Sequence, residues 1–358
     1  MTKTIKDTRT KTERITLLAI DTSCDDTSVA VTQNFCVLSN VVSSQDDLHK
    51  QWGGVVPDLA RRAHAERIAK VMNEALKRAH KTMPDIDAVA VTYGPGLAIA
   101  LEIGIKKAKE LCTEFNKPLI AVNHREGHLL SALAANSKGK AALSPDEIKY
   151  PVLGLIISGN TTELVLIKES GVYEFIGETL DDAVGEAYDK TARMLGLGYP
   201  GGRVLSEFAK KGDPDAYKFP VPMAKDERIA FSYSGLKTSV YYFTKKLIVS
   251  KELTRKQIFD IAASFEKAAI SHLQQKLELA IKQYKPGMVF CGGGVVSSAK
   301  VRAGLRESCR KYGINLFFPL PRKMFVDNAA MIGVAGYFKY RRGEFAGPDL
   351  DREPRAEL

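Results

Sequence analysis

The chain alternates short, almost continuous apolar runs with longer segments of helical period. Ile15-Thr-Leu-Leu-Ala-Ile-Asp21 has the length of a buried strand and ends on a carboxylate. A polar turn, Thr22-Ser-Cys-Asp-Asp-Thr27, leads to a second run from Ser28 to Thr32. The same pattern returns much later as Val152-Leu-Gly-Leu-Ile-Ile-Ser158, the turn Gly159-Asn-Thr-Thr162 and Glu163-Leu-Val-Leu-Ile167. Two strand–turn–strand units predict a duplicated, two-lobed α/β chain. Two ordinary hairpins are the alternative. Either way, the turns present backbone N–H groups and hydroxyls suited to phosphate oxygens.

Between the units, Ala88-Val-Ala-Val-Thr92 predicts a strand, and Tyr93-Gly-Pro-Gly-Leu97 a tight loop opening a helix to about Phe115. That loop fits neither the P-loop nor the dinucleotide fingerprint. The glycine-containing loop His49 to Pro57 precedes a helix over roughly Asp58 to Ala79, which carries Arg61, Arg62, Arg67, Lys70, Lys77 and Arg78. A basic helix is a solvated face or a surface for RNA. Pro118-Leu-Ile-Ala-Val122 reads as a buried strand, and Asn123 as the cap of a helix running to about Ala135. On that helix His124 and His128 stack on one face, while Leu129, Leu130 and Leu133 serve the core. Two imidazoles at this spacing suit a zinc- or iron-type ion; two unconnected histidines are the alternative. Glu126 lies about 200° around the helix from His124, so the H-E-x-x-H protease arrangement is not formed.

In the second half, Asn136 to Tyr150 is a polar linker. An acidic helix is expected from Asp181 to Leu195, with Asp182, Glu186 and Asp189 on one face beside the loop Gly196 to Gly202. Phe231-Ser-Tyr-Ser-Gly-Leu-Lys237 is a loop of hydroxyls and a lysine. Strand Met288 to Cys291, glycines 292–294 and a helix from about Ser297 to Arg310 make a junction that could seat adenine or ribose. Val326 opens a last, Ala-rich helix to about Tyr340, with Asp327 in the N-cap position.

Composition narrows the class. Hydrophobic content of 45% and charged content of 26% suit a soluble globular protein, and no apolar run approaches bilayer length. The polar N-terminus lacks a signal core, and Asp7 and Glu13 argue against a mitochondrial presequence, which leaves a flexible tail over 1–14. Five cysteines without paired spacing fit free thiols in a reducing cytoplasm. A net charge of +10 favours a polyanionic partner.

Taken in order, these motifs resemble the tRNA N6-adenosine threonylcarbamoyltransferase family, in its bacterial and mitochondrial form. The resemblance covers about residues 15–340. It rests on Asp21-Thr-Ser-Cys-Asp-Asp-Thr27, Gly53-Gly-Val-Val-Pro57, Gly94-Pro-Gly96, Asn123-His-Arg-Glu-Gly-His128 and Asp181-Asp-Ala-Val-Gly-Glu-Ala-Tyr-Asp-Lys190. Tyr199-Pro-Gly-Gly202, Phe231-Ser-Tyr-Ser-Gly-Leu-Lys237 and Asp327-Asn-Ala-Ala-Met-Ile332 complete it. It implies an actin-like ATPase fold with a duplicated RNase H-like core and an interlobe cleft. The lobes would be 15–135, joined by a returning helix 327–345, and 150–326, with a linker at 136–149 and a tail at 346–358. It further implies one divalent ion, Fe2+ or Zn2+, on His124, His128 and Asp327. The adenylate would lie among Ile156, Ile157, Ser158, Gly159, Asn160, Asp189, Gly202 and Ser298. The implied reaction moves the threonylcarbamoyl group from L-threonylcarbamoyl-adenylate to N6 of adenosine 37, in tRNAs reading codons that start with A, and releases AMP. Implied partners are tRNA and either a dimerising paralogue with a P-loop ATPase, or a second copy of the chain.

The sequence departs from the family at the usual Ser-Gly-Gly-His-Thr turn, here Ser158-Gly-Asn-Thr-Thr162, at Ser298 where the family has Asn, and at Asp21 for Glu. Asn160 is a residue that tolerates the left-handed conformation. These changes motivate a second reading, a non-catalytic scaffold that binds tRNA or a partner. An actin-like ATPase rests on fold alone, and an endopeptidase is disfavoured by the position of Glu126.

Overall fold

The computed structural model describes residues 14–49, 52–248, 252–320 and 324–358, so the expected N-terminal tail lies, except for Arg14, outside the described residues. The first group of strands is β1 Thr16–Asp21, β2 Thr27–Gln33, β3 Cys36–Ser43, β4 Ala88–Gly94 and β5 Leu119–Asn123. The second is β6 Val152–Ile157, β7 Thr162–Glu169, β8 Val172–Glu178, β9 Met288–Gly292 and β10 Leu316–Phe317. The helices of the first half are α1 Asp46–His49, α2 Pro57–Arg78, α3 Ala98–Phe115 and α4 His124–Leu130. Those of the second are α5 Val184–Met194, α6 Gly202–Ala209, α7 Ser234–Ile248, α8 Arg255–Tyr284, α9 Ala299–Lys311 and α10 Ala329–Arg342. None of the helices is long and apolar enough to cross a membrane, among the described residues.

The strands form two five-stranded sheets of matching order, β3-β2-β1-β4-β5 and β8-β7-β6-β9-β10. In each, an antiparallel meander is extended by two parallel strands. The duplication expected from the two strand–turn–strand units therefore extends to whole sheets. Central strands β1 and β6 are buried along their full length, as continuous apolar runs covered on both faces must be. On one face of the first sheet, Leu18, Ile20, Val89 and Val91 pack under Ile68, Leu76, Leu101 and Ile105 of α2 and α3. The other face joins Ile332, Val334 and Ala335 of α10 to Val152, Ile156 and Phe290 of the second sheet in one shared core.

Two helices differ from their expected limits. α4 stops at Leu130 and tightens into a 3-10 turn over Ser131–Leu133, short of Ala135. Ser131 Oγ donates to His128 O at 2.6 Å and competes for a carbonyl the helix would use. α5 begins at Val184 and excludes Asp181 and Asp182, because Asp181 is taken by the Phe231–Lys237 loop. The five cysteines are free.

The final residues are bound rather than loose. Ala346 N donates to Leu119 O (2.8 Å), Glu353 N to Tyr93 O (2.8 Å) and Asn123 Nδ2 to Glu357 O (2.9 Å), while Gly96 N reaches Pro354 O (3.2 Å). Ala356 is fully buried, and Leu358 packs against the shared core. This strap crosses the carboxyl ends of β4 and β5. Deleting residues 353–358 should lower unfolding stability by about 2–4 kcal/mol, from three lost hydrogen bonds and the uncovered apolar surface. A urea midpoint equal to that of the full chain would refute this account of the strap.

Candidate functional site

β1, β4 and β5 run parallel, so their carboxyl ends gather Asp21, Thr92 and Asn123 at one edge of the sheet. Asn123 caps α4 by accepting from Arg125 N at 2.9 Å. The cap sets the helix so that the His124 and His128 rings meet edge to face, with centroids 4.7 Å apart. Asp327 arrives from the segment ahead of α10, placing Oδ1 3.2 Å from His128 Nε2 and 3.6 Å from His124 Nε2. Contrary to the sequence expectation, Asp327 is not the cap. Asn328 takes that role, accepting from Met331 N at 3.2 Å, and leaves the Asp327 carboxylate free for the imidazoles.

Asp21 completes the group. Its Oδ2 lies 3.7 Å from His124 Nδ1, while Oδ1 accepts from Thr92 Oγ1 (2.8 Å) and Ser23 N (3.2 Å). The sequence marked a carboxylate at the end of β1 but not this role; only the strand order brings it to His124.

Burial works against charge on His124, yet the Asp327 and Asp21 carboxylates outweigh it and raise its pKa to about 10. Burial likewise pushes Asp327 and Asp21 up, but the facing imidazole holds both below the usual carboxylate range. The set has the donor chemistry of a divalent metal centre. His124, His128 and Asp327 each offer one ligand atom, and these atoms lie within 4.8 Å of one another. Ligands bound about 2.1 Å from one ion stand at most about 4.2 Å apart, so a shift of less than an ångström closes the set. Both ring nitrogens of His128 and Nδ1 of His124 are buried without a well-formed hydrogen bond, a state that calls for an explanation. Glu126 faces elsewhere: Oε1 accepts from Tyr173 Oη at 2.8 Å, and Lys339 and Arg342 lie 3.8 and 3.6 Å from the carboxylate. Burial, helped by the Asp25 charge, pushes the Cys24 thiol far up and disfavours its thiolate.

The substrate residues expected in the second lobe fall in three places: the end of β6 and its turn, the loop opening α6, and the start of α9. Ile156 and Ile157 are buried in the strand; Gly159 and Asn160 are exposed in the turn that Ser158 N closes onto Thr161 O (2.8 Å). Neither Gly159 nor Asn160 has positive φ, so the left-handed conformation considered for Asn160 is not used. α5 starts against this turn, where a Cβ on Gly185 would lie 2.3 Å from Ser158 O. Asp189 Oδ1 accepts from Gly201 N (2.9 Å) and Gly202 N (2.6 Å), which fixes the loop opening α6. Ser298 caps α9, accepting from Val301 N (3.4 Å), and donates to Glu266 Oε1 (3.3 Å).

The expected common face of Asp182, Glu186 and Asp189 is not formed. Asp182 precedes the helix and binds Lys190 and Lys237, Glu186 pairs with Lys190, and Asp189 faces the glycine loop. Glu266, fully buried and also accepting from Ser206 Oγ at 2.8 Å, escaped the sequence reading. A carboxylate inside a long helix gives no local signal until α6 and α9 are packed against it.

The two halves of the site meet at the glycines after β9. A Cβ on Gly292 would lie 2.2 Å from His128 O, and one on Gly293 would lie 2.4 Å from Ile157 O. The metal-type helix and the adenylate-type turn thus flank one strand end.

The TsaD family model, described as tRNA N6-adenosine threonylcarbamoyltransferase, matches residues 36–334. A Clostridium kluyveri protein of that name is 44% identical over 344 residues, 96% of this chain and 97% of its own. One from Clostridium perfringens is 43% identical over 343 residues, 96% of this chain and 98% of its own. Among solved structures, T. kodakarensis HypF gives a TM-score of 0.59 at 16% identity, over 94% of this chain and 49% of that one. Acidaminococcus fermentans (R)-2-hydroxyglutaryl-CoA dehydratase component A gives 0.52 at 14%, over 92% and 99%. These likenesses show the fold, a two-lobed α/β architecture of the actin-like ATPase type.

Because Asn328 caps α10, Asp327→Asn should leave the fold intact and still lose bound metal. Metal analysis of Asp327→Asn and His124→Ala should show severe loss in both; full occupancy in both would refute the assignment. A second expectation concerns pH. His272 accepts from Ser232 N (3.2 Å) beneath the Phe231–Lys237 loop, and burial, helped by Lys276, lowers its pKa from 6.5 to about 4. The depressed pKa favours the neutral ring, so its contribution is complete above about pH 6.5 and is lost as pH falls toward 4. The loss should reach about 3 kcal/mol, and His272→Gln should flatten that part of a stability–pH curve. An identical curve in the variant would refute it.

Proposed function

The chain belongs to the tRNA N6-adenosine threonylcarbamoyltransferase family and is a transferase that forms N6-threonylcarbamoyladenosine in tRNA, and from that premise we propose the roles of its residues. The donor is L-threonylcarbamoyl-adenylate, with its phosphate against the turn Ser158–Asn160 at the end of β6 and its nucleoside between Gly202, Asp189 and Ser298. His124, His128 and Asp327 hold a divalent ion, which when bound supplies Lewis acidity toward donor oxygens. The observation that carries this reading is the junction at Gly292 and Gly293, which leaves the turn and the His124/His128 helix on the same strand end.

The acceptor is N6 of adenosine 37, in the unpaired anticodon loop, where bases can be splayed outward. Its amine is a poor nucleophile, so the main task of the site is to hold it in line with the carbamoyl carbon. An N–C bond forms, the C–O bond to phosphate breaks, AMP leaves and the amine gives up one proton. Backbone N–H groups of the turn stabilise charge on the leaving phosphate. Exposed Arg61 and Arg62 on α2, within a chain of net charge +10, suit salt-dependent contacts to tRNA phosphates. The site of action is the cytoplasm, where a tRNA substrate is met.

The test is to incubate the pure protein, metal-loaded, with threonylcarbamoyl-adenylate and unmodified tRNA, with and without a paralogue and a P-loop ATPase, and to analyse the nucleosides. The modified nucleoside is expected at position 37, and its absence from every arm would replace this reading with the scaffold. In AMP calorimetry, Asp189→Ala should abolish binding, by releasing the Gly201–Gly202 loop and removing a ribose acceptor. Ser298→Asn keeps a good helix cap and should bind as well as the parent or up to about tenfold better. Equal binding by the parent and Asp189→Ala would exclude this loop as the nucleotide site.

A further inference from the structure

Trp52 is the chain's only tryptophan, and 63% of it is exposed. An indole is among the largest apolar side chains, and its ring with one polar edge is enriched where a protein meets a partner. Among the described residues no ring or cation stacks on it.

Its backbone neighbourhood places it at the edge of the cleft between the lobes. The adjacent Gly53 carbonyl accepts from Arg193 Nη2 of α5, in the other lobe, at 3.1 Å. The Arg193 guanidinium in turn lies 5.7 Å from the centre of the Tyr199 ring. Tyr199 lies two residues before Gly201, in the loop that Asp189 holds through Gly201 N and Gly202 N. Arg193 thus joins the backbone next to Trp52 to Tyr199 and the loop beside the site already described. Gly53 has φ of +65°, and among the described residues neither it nor Gly54 has any atom within 4 Å of a would-be Cβ, so the backbone following the indole has open space beside it. Beyond it, Arg61 and Arg62 at the start of α2 are exposed and make no ion pair among the described residues.

We propose that Trp52 is a stacking platform for an unpaired base of the anticodon loop, next to the adenosine that enters the cleft, with Arg193 and Tyr199 as the adjoining wall. The proposal rests on the tRNA transferase reading and adds the residue that grips the loop. A flat aromatic face beside guanidinium groups is the chemistry that holds single-stranded RNA without reading its sequence. A duplex offers no base face to such a ring, so the platform selects unpaired loops over stems. An indole in this place also leaves the metal-type and adenylate-type residues untouched, since none of them contacts it.

The single tryptophan makes the test direct. Intrinsic fluorescence of the metal-loaded chain is titrated with an anticodon stem-loop RNA carrying unmodified adenosine 37, and with a fully paired RNA of equal length. The stem-loop should quench the indole saturably and the duplex should not. By filter binding, Trp52→Ala should weaken stem-loop affinity at least about fivefold, the lower edge of base–aromatic stacking, while Trp52→Phe restores most of it. AMP binding by both variants should equal that of the parent, which separates lost stacking from a damaged fold. Equal stem-loop affinity in Trp52→Ala, or equal quenching by the duplex, would overturn the proposal. If the parent still modifies tRNA in that case, only the platform falls; a parent that neither binds the stem-loop nor modifies tRNA removes the transferase reading as well.

Discussion

The structure depends on helix α4 lying in contact with the second sheet while its residues continue the first. Backbone packs on backbone there. A Cβ on Gly154 of β6 would come within 2.3 Å of Leu129 Cδ2, and one on Gly292 of β9 within 2.2 Å of the His128 carbonyl. At Gly292 no side chain larger than hydrogen fits without moving the helix, while at Gly154 the Leu129 side chain would have to shift. Leu129 and Leu130 then join Val152, Ile156 and Phe290 in one core with Leu17, Ile120 and Met331 of the first lobe. Because interiors are close-packed, the relative placement of the two sheets follows from this contact. So does the distance from His124 and His128 to the β6–β7 turn.

A second constraint is electrostatic. Asp21, Asp327 and two imidazoles are brought together in a largely buried space, where an unpaired charge is costly. The two carboxylates favour positive charge on His124 and raise its pKa to about 10 against the cost of burial. A divalent ion would supply that positive charge and displace the proton, so metal uptake and proton release are linked. The strap of residues 346–358 acts on the same place from outside. Through Asn123 it holds the cap of α4, and through Gly96 it steadies the loop whose Leu97 N donates to Ser23 O, beside Asp21.

The sequence made the duplicated sheets legible because each β1- or β6-type strand is a continuous apolar run that ends in a polar turn. It made His124 and His128 legible because four residues is a helical spacing. What it missed depended on partners distant in the chain. Asp181 has good helix-start character, but four donors from residues 232–234 pull it out of α5. Asp327 and Asn328 are equally good caps by type, and the choice is made by Asn40, whose amide donates to Asn328 Oδ1 from β3 at 3.3 Å. Glu266 acquires meaning only where α8 meets Ser206 and Ser298. The last thirteen residues look polar and loose, yet their backbone completes hydrogen bonds left open at the start of β5, on Leu119, and at the carboxyl end of β4, on Tyr93.

The same logic bears on the places where the chain departs from its family. Asn160 stands where a second glycine is usual, but its backbone is not left-handed, and its side chain points into open exposure. The turn therefore keeps its amide donors and its closing bond from Ser158 N to Thr161 O. Ser298 is shorter than asparagine but retains the capping role on α9 and adds a hydroxyl bond to Glu266. Each replacement is thus absorbed by the backbone around it. The cap, the turn closure and the glycine junction each restrain a different wall of the site. With all three in place, the departures from the family pattern leave the backbone of the site as the transferase reading requires it.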